Sequence, residues 1–492
     1  MPSRVTLSPN DSLWLHMDTP ENLMTIEGIM WFDEPLAVPA VIETLRTRLL
    51  GRYPVFGWRA ETSDAIVGAD HWVEDPDFDL TNHVSVHQLD GDAHEAVQRF
   101  LESLMSLPLP RNRPLWQCHV LNGPDASAVI LRFHHAIADG TALVRVLLDL
   151  TTETPEISTG DAPPPTSAIH PDRALPHLEK PPVGRSHPGL VQRATRSLNS
   201  VVALPLAAGV AVTNSAAGFM EHLDPAHEAS LVWRLAEQAK GTADAVEKLL
   251  VGTAPDALPF GQPGVAKRAD WAPPYSLPAV KAIGQAHGAT VNDVMLAALA
   301  GALRRYVSSR GEVPRDVVTM IPINLRPWDA PLPEHLGNKF ALVAFELPLG
   351  MPTSGARIAQ SKARMDVIKH GPEAMLTFGL AHAIGTVGAV TGTVSRQMIS
   401  FFGNKAFGVT TNVPGPTEPR YFAGAQMIGV LGWVPGASQQ TLGACIFSYN
   451  GQIRVGFKAD ATVIPDVANL VAAFDDEMAD LLATMPTEVP SS

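Results

Sequence analysis

The stretch FHHAIADG (residues 133–140) joins two segments of different periodicity, and this transition indicates the fold. Ala128–Phe133 (AVILRF), which ends at the first residue of the stretch, is an apolar run typical of a buried strand. Ala142–Leu150, which follows it, has the spacing of an amphipathic helix. We therefore predict that the stretch is a loop from the end of a strand to the start of a helix.

The two adjacent histidines of this loop are the first candidates for chemistry. Strand alternation separates the side chains of His134 and His135, so only one of them points into the body of the domain. An imidazole that is held at one nitrogen on a rigid element can act as a base through the other. We expect this role of His135. We keep His134 as a catalytic candidate, with a structural histidine as the alternative.

Asp139 and Gly140 complete the pattern. Asp139 could pair with a cation and fix the turn, or only cap the following helix. Gly140 would allow close approach or an unusual backbone dihedral. Adjacent histidines on a strand cannot easily chelate together, and no third ligand stands at a zinc-like spacing. We therefore expect no metal site.

Outward from the loop, strand and helix patterns alternate along the whole chain, which predicts a mixed α+β protein with two sheets. The other predicted strands are Met24–Phe32, Pro114–Leu121, Asp316–Ile323, Phe340–Pro348 and Phe407–Val413, with a hairpin of Ala444–Tyr449 and Gln452–Phe457 around Asn450-Gly451. The other predicted helices are one that begins at Ser8-Pro9, and Val38–Leu50, Ala93–Met105, Thr290–Val307 and Asp466–Leu482.

A change of composition divides the chain. Prolines cluster between Glu153 and Pro188, and a second proline- and glycine-rich connection covers residues 252–263. We predict a first domain of residues 1–155 that carries the histidine pair, a Pro-rich crossover linker with helices over 156–264, and a second domain of residues 265–492.

Composition excludes several classes of protein. The 492 residues are 46% hydrophobic and 17% charged, which fits a globular protein with a large interior. The net charge of −14 argues against nucleic acid as a partner, since phosphate binding needs a basic surface. The two cysteines, Cys118 and Cys445, lie far apart, and no secretory signal is evident, so we expect a reduced, cytoplasmic protein.

Two apolar segments bear on contact with lipid, although neither is long enough to span a bilayer. They are Ser200–Val212 and Phe378–Val390. They could be buried core helices, walls of a lipid tunnel or a membrane-facing patch. Peripheral association with the inner face of the membrane or with lipid droplets is therefore left open.

The motif HHxxxDG, together with seven further blocks in order, resembles the CoA-dependent acyltransferase superfamily and, more closely, the bacterial wax ester synthase/diacylglycerol acyltransferase family. The resemblance covers most of the chain. Thr411 stands where serine is usual, and Asn324 where serine is common, which bears on substrate range more than on chemistry. The seven blocks are LSPNDSLWLHMD (7–18), DPDFDLTNHV (75–84), RPLWQCHVL (113–121), VNDVMLAAL (291–299), PINLRP (322–327), LGN (336–338) and TNVPGP (411–416).

The resemblance implies two chloramphenicol-acetyltransferase-like domains and an O-acyltransferase. The donor would be a long-chain acyl-CoA, and the acceptor diacylglycerol, as in triacylglycerol synthesis, or a fatty alcohol, as in wax ester synthesis. His135 would take the proton of the acceptor hydroxyl, and its imidazolium would protonate the departing CoA thiolate. Neither an acyl-enzyme nor a cofactor is needed.

The resemblance also implies supporting residues. Thr411 or Asn412 would donate a hydrogen bond to the oxyanion, unless both only cap the turn that follows. Arg326 would pair with Asp139 and hold the histidine loop against the second domain.

The Asn292-Asp293 pair matches another motif of the family. Thr290 and Asp293 have the spacing of a capping box, so Asp293 could serve only to start its helix. Asn292 is the better functional candidate of the two, near the site through the domain interface.

Two other functions remain open. One is a superfamily acyltransferase with a different acceptor, such as a polyketide diol or a carrier-protein substrate. The other is a catalytically silent lipid-binding protein, which would bind acyl-CoA without releasing CoA. The intact HHxxxDG motif favours an enzyme.

Overall fold

The computed structural model describes residues 4–63, 69–155, 262–326, 331–370 and 406–483. Most of the predicted linker and both apolar segments that could contact lipid lie outside these ranges. In the described part of the chain, no helix is long and apolar enough to cross a membrane.

The first half of the chain alternates strands and helices as its sequence pattern predicts. Its helices are α1 (Pro9–His16), α2 (Val38–Thr44), α3 (Ala93–Met105) and α4 (Gly140–Leu150). Its strands are β1 (Arg4–Thr6), β2 (Thr25–Phe32), β3 (Trp58–Glu61), β4 (His71–Glu74), β5 (Val84–Gln88), β6 (Trp116–Asn122), β7 (Ser127–His134) and β8 (Thr151–Thr152).

The second half repeats this mixture. Its helices are α5 (Leu277–Ala286), α6 (Val291–Ser309), α7 (Ser354–His370) and α8 (Val467–Ala483). Its strands are β9 (Lys267–Trp271), β10 (Tyr275–Ser276), β11 (Val317–Asn324), β12 (Phe340–Leu347), β13 (Gly408–Pro414), β14 (Tyr421–Phe422), β15 (Ala425–Trp433), β16 (Leu442–Tyr449) and β17 (Gln452–Asp460).

Local signals explain most of these elements. Ser8 accepts a hydrogen bond from the Asp11 backbone N–H, with Pro9 at the first position of α1. Asn450 and Gly451 have φ angles of 47° and 73°, which make the tight turn between β16 and β17. The predicted helix Val38–Leu50 is α-helical only to Thr44 and continues over Leu45–Leu50 as wider π-type turns.

Two seven-stranded sheets dominate the described structure, and the predicted mixed α+β architecture is confirmed. The first has the order β5-β6-β7-β2-β15-β14-β8. The second has the order β10-β17-β16-β13-β11-β12, with β9 paired to β17. Both contain parallel and antiparallel pairs. A separate sheet of β1, β4 and β3 was not predicted.

The first sheet is completed by strands from late in the chain. β15 pairs antiparallel with β2, with Trp433 opposite Glu27 and Met427 opposite Phe32. β14 pairs with β15 and with β8. The predicted domain boundaries stay a proposal, and any division of the chain must give residues 421–433 to the first sheet.

Candidate active site

A cavity of about 450 Å³ lies between the two halves. Its wall combines α1, β2, β7 and α4 from the first half with β11, β12 and β13 from the second. Most of the lining is aliphatic or aromatic, which is typical of a site for an apolar ligand. Polar lining side chains include His135, Asp139, Asn338, Thr411 and Asn412.

His135 follows the end of β7 and is held on several sides. Its backbone N–H donates to the Met24 carbonyl at 2.7 Å. The indole of Trp14, on α1, stacks on the imidazole with the ring centroids 3.9 Å apart and the planes at 14°. Phe340, at the start of β12, lies 5.6 Å away. Only 4% of His135 is exposed, so its orientation is fixed by packing from both halves.

The hydrogen bonds of Asn338 decide which nitrogen of His135 carries the proton. Asn338 Nδ2 donates to the His135 carbonyl and to Asp11 Oδ1, each at 2.8 Å. Asn338 Oδ1 therefore accepts from His135 Nδ1–H, at 2.9 Å. Nε2 is then the unprotonated nitrogen that remains for a bound hydroxyl. Burial lowers the pKa of His135 to about 4, which keeps the imidazole neutral at neutral pH.

His134 has a different environment from its neighbour. Its Nδ1 accepts from the Ala136 backbone N–H at 3.1 Å, and its Nε2 lies 3.2 Å from Asp18 Oδ2. Arg111 also contacts the Asp18 carboxylate. His134 is 1% exposed and is not among the residues that line the cavity. Its geometry favours the structural role over a catalytic one.

Asp139 caps α4 and also reaches the second half. Its Oδ1 accepts from the Ala142 N–H at 2.8 Å, as in a helix N-cap, while its Oδ2 accepts from the Lys339 N–H at 2.8 Å. Arg326 lies 3.6 Å from Oδ2, which is the predicted ion pair. The hydrogen bonds of Arg326, however, go to the carbonyls of Leu336 and Gly337, each at 3.1 Å. Arg326 therefore holds the 336–339 loop as well as Asp139.

Gly140 lines the cavity and begins α4 without a positive φ angle. An added Cβ would meet only Val434 Cγ1, at 3.9 Å. The suggested unusual dihedral is therefore wrong, and open space toward the cavity remains as the reason for glycine here.

Strand β13 carries Thr411 and Asn412 to the cavity from the second half. Asn412 Nδ2 donates to Asn292 Oδ1 at 2.9 Å, near the start of α6. Successive side chains of a strand point to opposite faces, so Thr411 points away from α6, toward Cys445 on β16. Asn292 therefore reaches the cavity wall through Asn412 and does not line it.

Asp293 belongs to the start of α6. It forms a full capping box with Thr290, is 1% exposed and does not line the cavity. The described residues contain no group of three or more His, Cys, Asp or Glu side chains that could hold a metal ion.

Three residues that sequence reasoning gave no role surround His135. They are Asp11, Trp14 and Asn338, of which the first two lie in the block LSPNDSLWLHMD and the third in LGN. Both blocks were visible as family motifs, but nothing in their composition places them beside a loop some 200 residues from Asn338 in the chain.

Comparison with known proteins adds family and fold. The profile of the wax ester synthase/diacylglycerol acyltransferase catalytic domain matches residues 7–295, and that of the C-terminal domain of the same family matches residues 336–482. Two proteins of Mycobacterium tuberculosis, each named as a probable diacylglycerol O-acyltransferase, are 27% identical to this chain. One match covers 96% of this chain and 98% of the relative, and the other 87% and 84%.

Solved structures share the fold. The wax ester synthase/diacylglycerol acyltransferase from Marinobacter aquaeolei VT8 has a TM-score of 0.62 and 19% identity, over 97% of this chain and 98% of its own. The first condensation domain of the calcium-dependent antibiotic synthetase has a TM-score of 0.56 and 16% identity, over 99% of both chains. With a catalytic-domain profile that matches more than half of its length, the chain belongs to the wax ester synthase/diacylglycerol acyltransferase family.

Proposed function

We propose that this protein is an O-acyltransferase that moves a long-chain acyl group from acyl-CoA to diacylglycerol, to a fatty alcohol or to both. The observation that carries the proposal is the neutral imidazole of His135, held at Nδ1 by Asn338 in the wall of an apolar cavity. The family and the names of the Mycobacterium relatives support the same reaction.

The reaction needs one proton to be moved twice. His135 Nε2 takes the proton of the acceptor hydroxyl while the oxygen attacks the thioester carbonyl. The tetrahedral intermediate then collapses, the C–S bond breaks, and the imidazolium gives its proton to the CoA sulfur. General base catalysis of this kind typically accelerates a reaction by about 10²–10⁴-fold. No covalent acyl-enzyme forms, and no cofactor takes part.

The oxyanion of the intermediate needs a hydrogen-bond donor. Of the two candidates on β13, we favour the Thr411 hydroxyl, since the side chain of Asn412 is turned toward Asn292 and α6. Asn292 and Asn412 would then hold the end of the strand that presents Thr411. A single oxyanion donor typically contributes about 3–4 kcal/mol to lowering the barrier.

The lining of the cavity favours a long-chain acceptor. Aliphatic side chains of α4, among them Leu143, Val146 and Leu147, face Met320 and Leu342 of the second half across the same space. A polyketide diol or a carrier-protein substrate would need further polar groups to fix it. The surface of a lipid droplet or of the inner face of the membrane is the proposed source of such an acceptor for a cytoplasmic enzyme.

Product analysis tests the proposal. Purified protein is incubated with palmitoyl-CoA and either diacylglycerol or hexadecanol, while thiol release and lipid products are followed. Acceptor-dependent CoA release with triacylglycerol or wax ester as product is expected, and the His135→Ala variant should bind palmitoyl-CoA without turnover. Binding without thiol release by the wild-type protein would instead favour the lipid-binding alternative.

A flotation assay tests the membrane proposal separately. Wild-type protein is mixed with vesicles that contain diacylglycerol and is centrifuged through a density gradient. We expect part of the protein to float with the vesicles. If it never does, peripheral association is excluded under those conditions, while the acyl-transfer proposal is unaffected.

A further inference from the structure

Asp11 is a buried carboxylate in the first turn of α1 that does not itself touch the imidazole. Its Oδ1 accepts two hydrogen bonds from Asn338, one from the backbone N–H and one from Nδ2, each at 2.8 Å. Its Oδ2 accepts from the Ser8 hydroxyl at 2.6 Å. The residue is 7% exposed, and burial raises the pKa of its carboxyl to about 6. Keeping a charge in such a position costs stability, so a functional reason should offset it.

The carboxylate fixes the direction of an otherwise ambiguous amide. The oxygen and nitrogen ends of an asparagine side chain have nearly the same shape, so only the partners decide which end points where. An ionised Asp11 can only accept, so it draws the Nδ2 end of Asn338 toward itself. The His135 carbonyl, a second acceptor 2.8 Å from Nδ2, favours the same orientation. The oxygen end is left to face His135 Nδ1.

Reversal of this amide would move the proton on the catalytic ring. If Nδ2 faced His135, Nδ1 would have to accept, and the proton of the neutral imidazole would sit on Nε2. That nitrogen could then no longer take a proton from an acceptor hydroxyl. We infer that Asp11 is a positioning residue that, through Asn338, holds His135 in the tautomer with an unprotonated Nε2. The inference rests on the proposed role of His135 as the base.

The backbone of the second half is shaped to bring Asn338 to Asp11. Gly337 has a φ of 71° and donates its N–H to the Ile137 carbonyl at 3.0 Å. A Cβ on Gly337 would lie 3.2 Å from Asp11 Oδ2, which is tighter than an ordinary contact. Glycine therefore permits both the left-handed turn and the close approach of the loop to the carboxylate.

Steady-state kinetics with palmitoyl-CoA and hexadecanol test the inference with Asp11→Leu, Asn338→Leu, their double variant and Asp11→Asn. Asp11→Leu should lower kcat by about 10²-fold or more with KM nearly unchanged, since only the chemical step uses the base. Asp11→Asn keeps an acceptor oxygen for Asn338, while its amide can donate to Ser8, so it should retain most of the activity. The double variant should be no worse than Asn338→Leu, because both changes break one chain of contacts.

Nitrogen NMR of protein labelled at histidine adds a readout that a structural role would not move. The His135 ring is assigned by its loss in His135→Gln. The wild-type ring should carry its proton on Nδ1, and Asp11→Leu should shift the population toward Nε2–H. Full kcat in a folded Asp11→Leu, or loss of kcat without a change of tautomer, would overturn the inference.

A second pair of variants covers the case in which Asp11→Leu does not fold. Asn338→Asp places two carboxylates side by side and should be inactive, whereas its combination with Asp11→Asn restores one acid and one amide. Recovery of at least about 10-fold in kcat over Asn338→Asp is expected, and no recovery contradicts the inference. If His135→Ala itself stays active, the proposed function fails. If His135→Ala is inactive but every Asp11 variant is unimpaired, only this inference fails.

Discussion

The loop 134–140 of the first half and the loop 336–340 of the second half meet at one side of the cavity, and they contribute different things. The first supplies the imidazole of His135. The second supplies Asn338, which binds Nδ1 of that ring, and Phe340, which packs beside it. The reactive group and the groups that orient it therefore come from separate halves. The comparison teaches that the site exists only when the two halves are docked.

The largest effect is expected at the reactive group itself. His135→Gln should lower kcat by about 10²–10⁴-fold, because the general base is lost, while the melting temperature changes little. His134→Gln is the matched control on the adjacent residue. Its contacts with Asp18 and Ala136 are structural, so it should lower the melting temperature more than kcat. Equal residual activity in the two variants would remove the difference between the two histidines.

The next effect concerns the link between the loops. Arg326→Ala removes the hydrogen bonds to Leu336 and Gly337 and leaves Asp139 without its ion-pair partner. We expect a loss of about 3–5 kcal/mol in the free energy of unfolding, measured by urea titration, and reduced turnover. Arg326→Lys keeps the charge but not the forked geometry, so it should lie between the two. An unchanged stability and activity in Arg326→Ala would show that the loops do not depend on this residue.

The second half can also be tested where it faces the developing charge. Thr411→Val removes the proposed oxyanion donor at nearly constant volume and should lower kcat by about 10²–10³-fold. Asn412→Ala is the control, since its side chain bonds Asn292 on the other face of β13, and its effect on kcat should be smaller. The reverse order of the two effects would exchange the roles of these neighbours.

A smaller effect follows from the raised pKa of Asp11. Its folded-state pKa of about 6 lies above the ordinary value of 3.8, so folding favours the protonated form. Asp11 therefore lowers stability at pH above about 6, and this penalty disappears as the pH falls through the interval from 6 to 3.8. Relative to the wild type, Asp11→Asn should gain about 3 kcal/mol in the free energy of unfolding between pH 4 and pH 7.5. A difference that does not vary with pH would contradict the assignment.

Elements with local signals were predicted well. The helix Ala93–Met105 has the bounds expected from its periodicity, and β16 and β17 flank the predicted Asn450-Gly451 turn. The capping box at Thr290 was also visible in sequence. In each case the residues that decide the structure are neighbours in the chain, so pattern and propensity were sufficient.

The parts that were missed depend on contacts between distant residues. The pairing of β15 with β2 joins residues about 400 positions apart, and no local pattern of Ala425–Trp433 reveals which strand it meets. In the same way, His135 was recognisable from its motif, but its partners Asp11 and Asn338 are brought to it only by the docking of α1 and of the 336–340 loop. The chemistry could be predicted from sequence, whereas the orientation of the ring could not.

The insertion of β15 next to β2 has a consequence for how the protein is made. While the chain leaves the ribosome, β2 can pair with β7 early, but its other edge must wait until residues 425–433 emerge. An open edge strand is a template for pairing with other chains. A fragment that ends near residue 155 would therefore expose the β2 edge of its main sheet and tend to aggregate, so the two halves should be produced as one polypeptide.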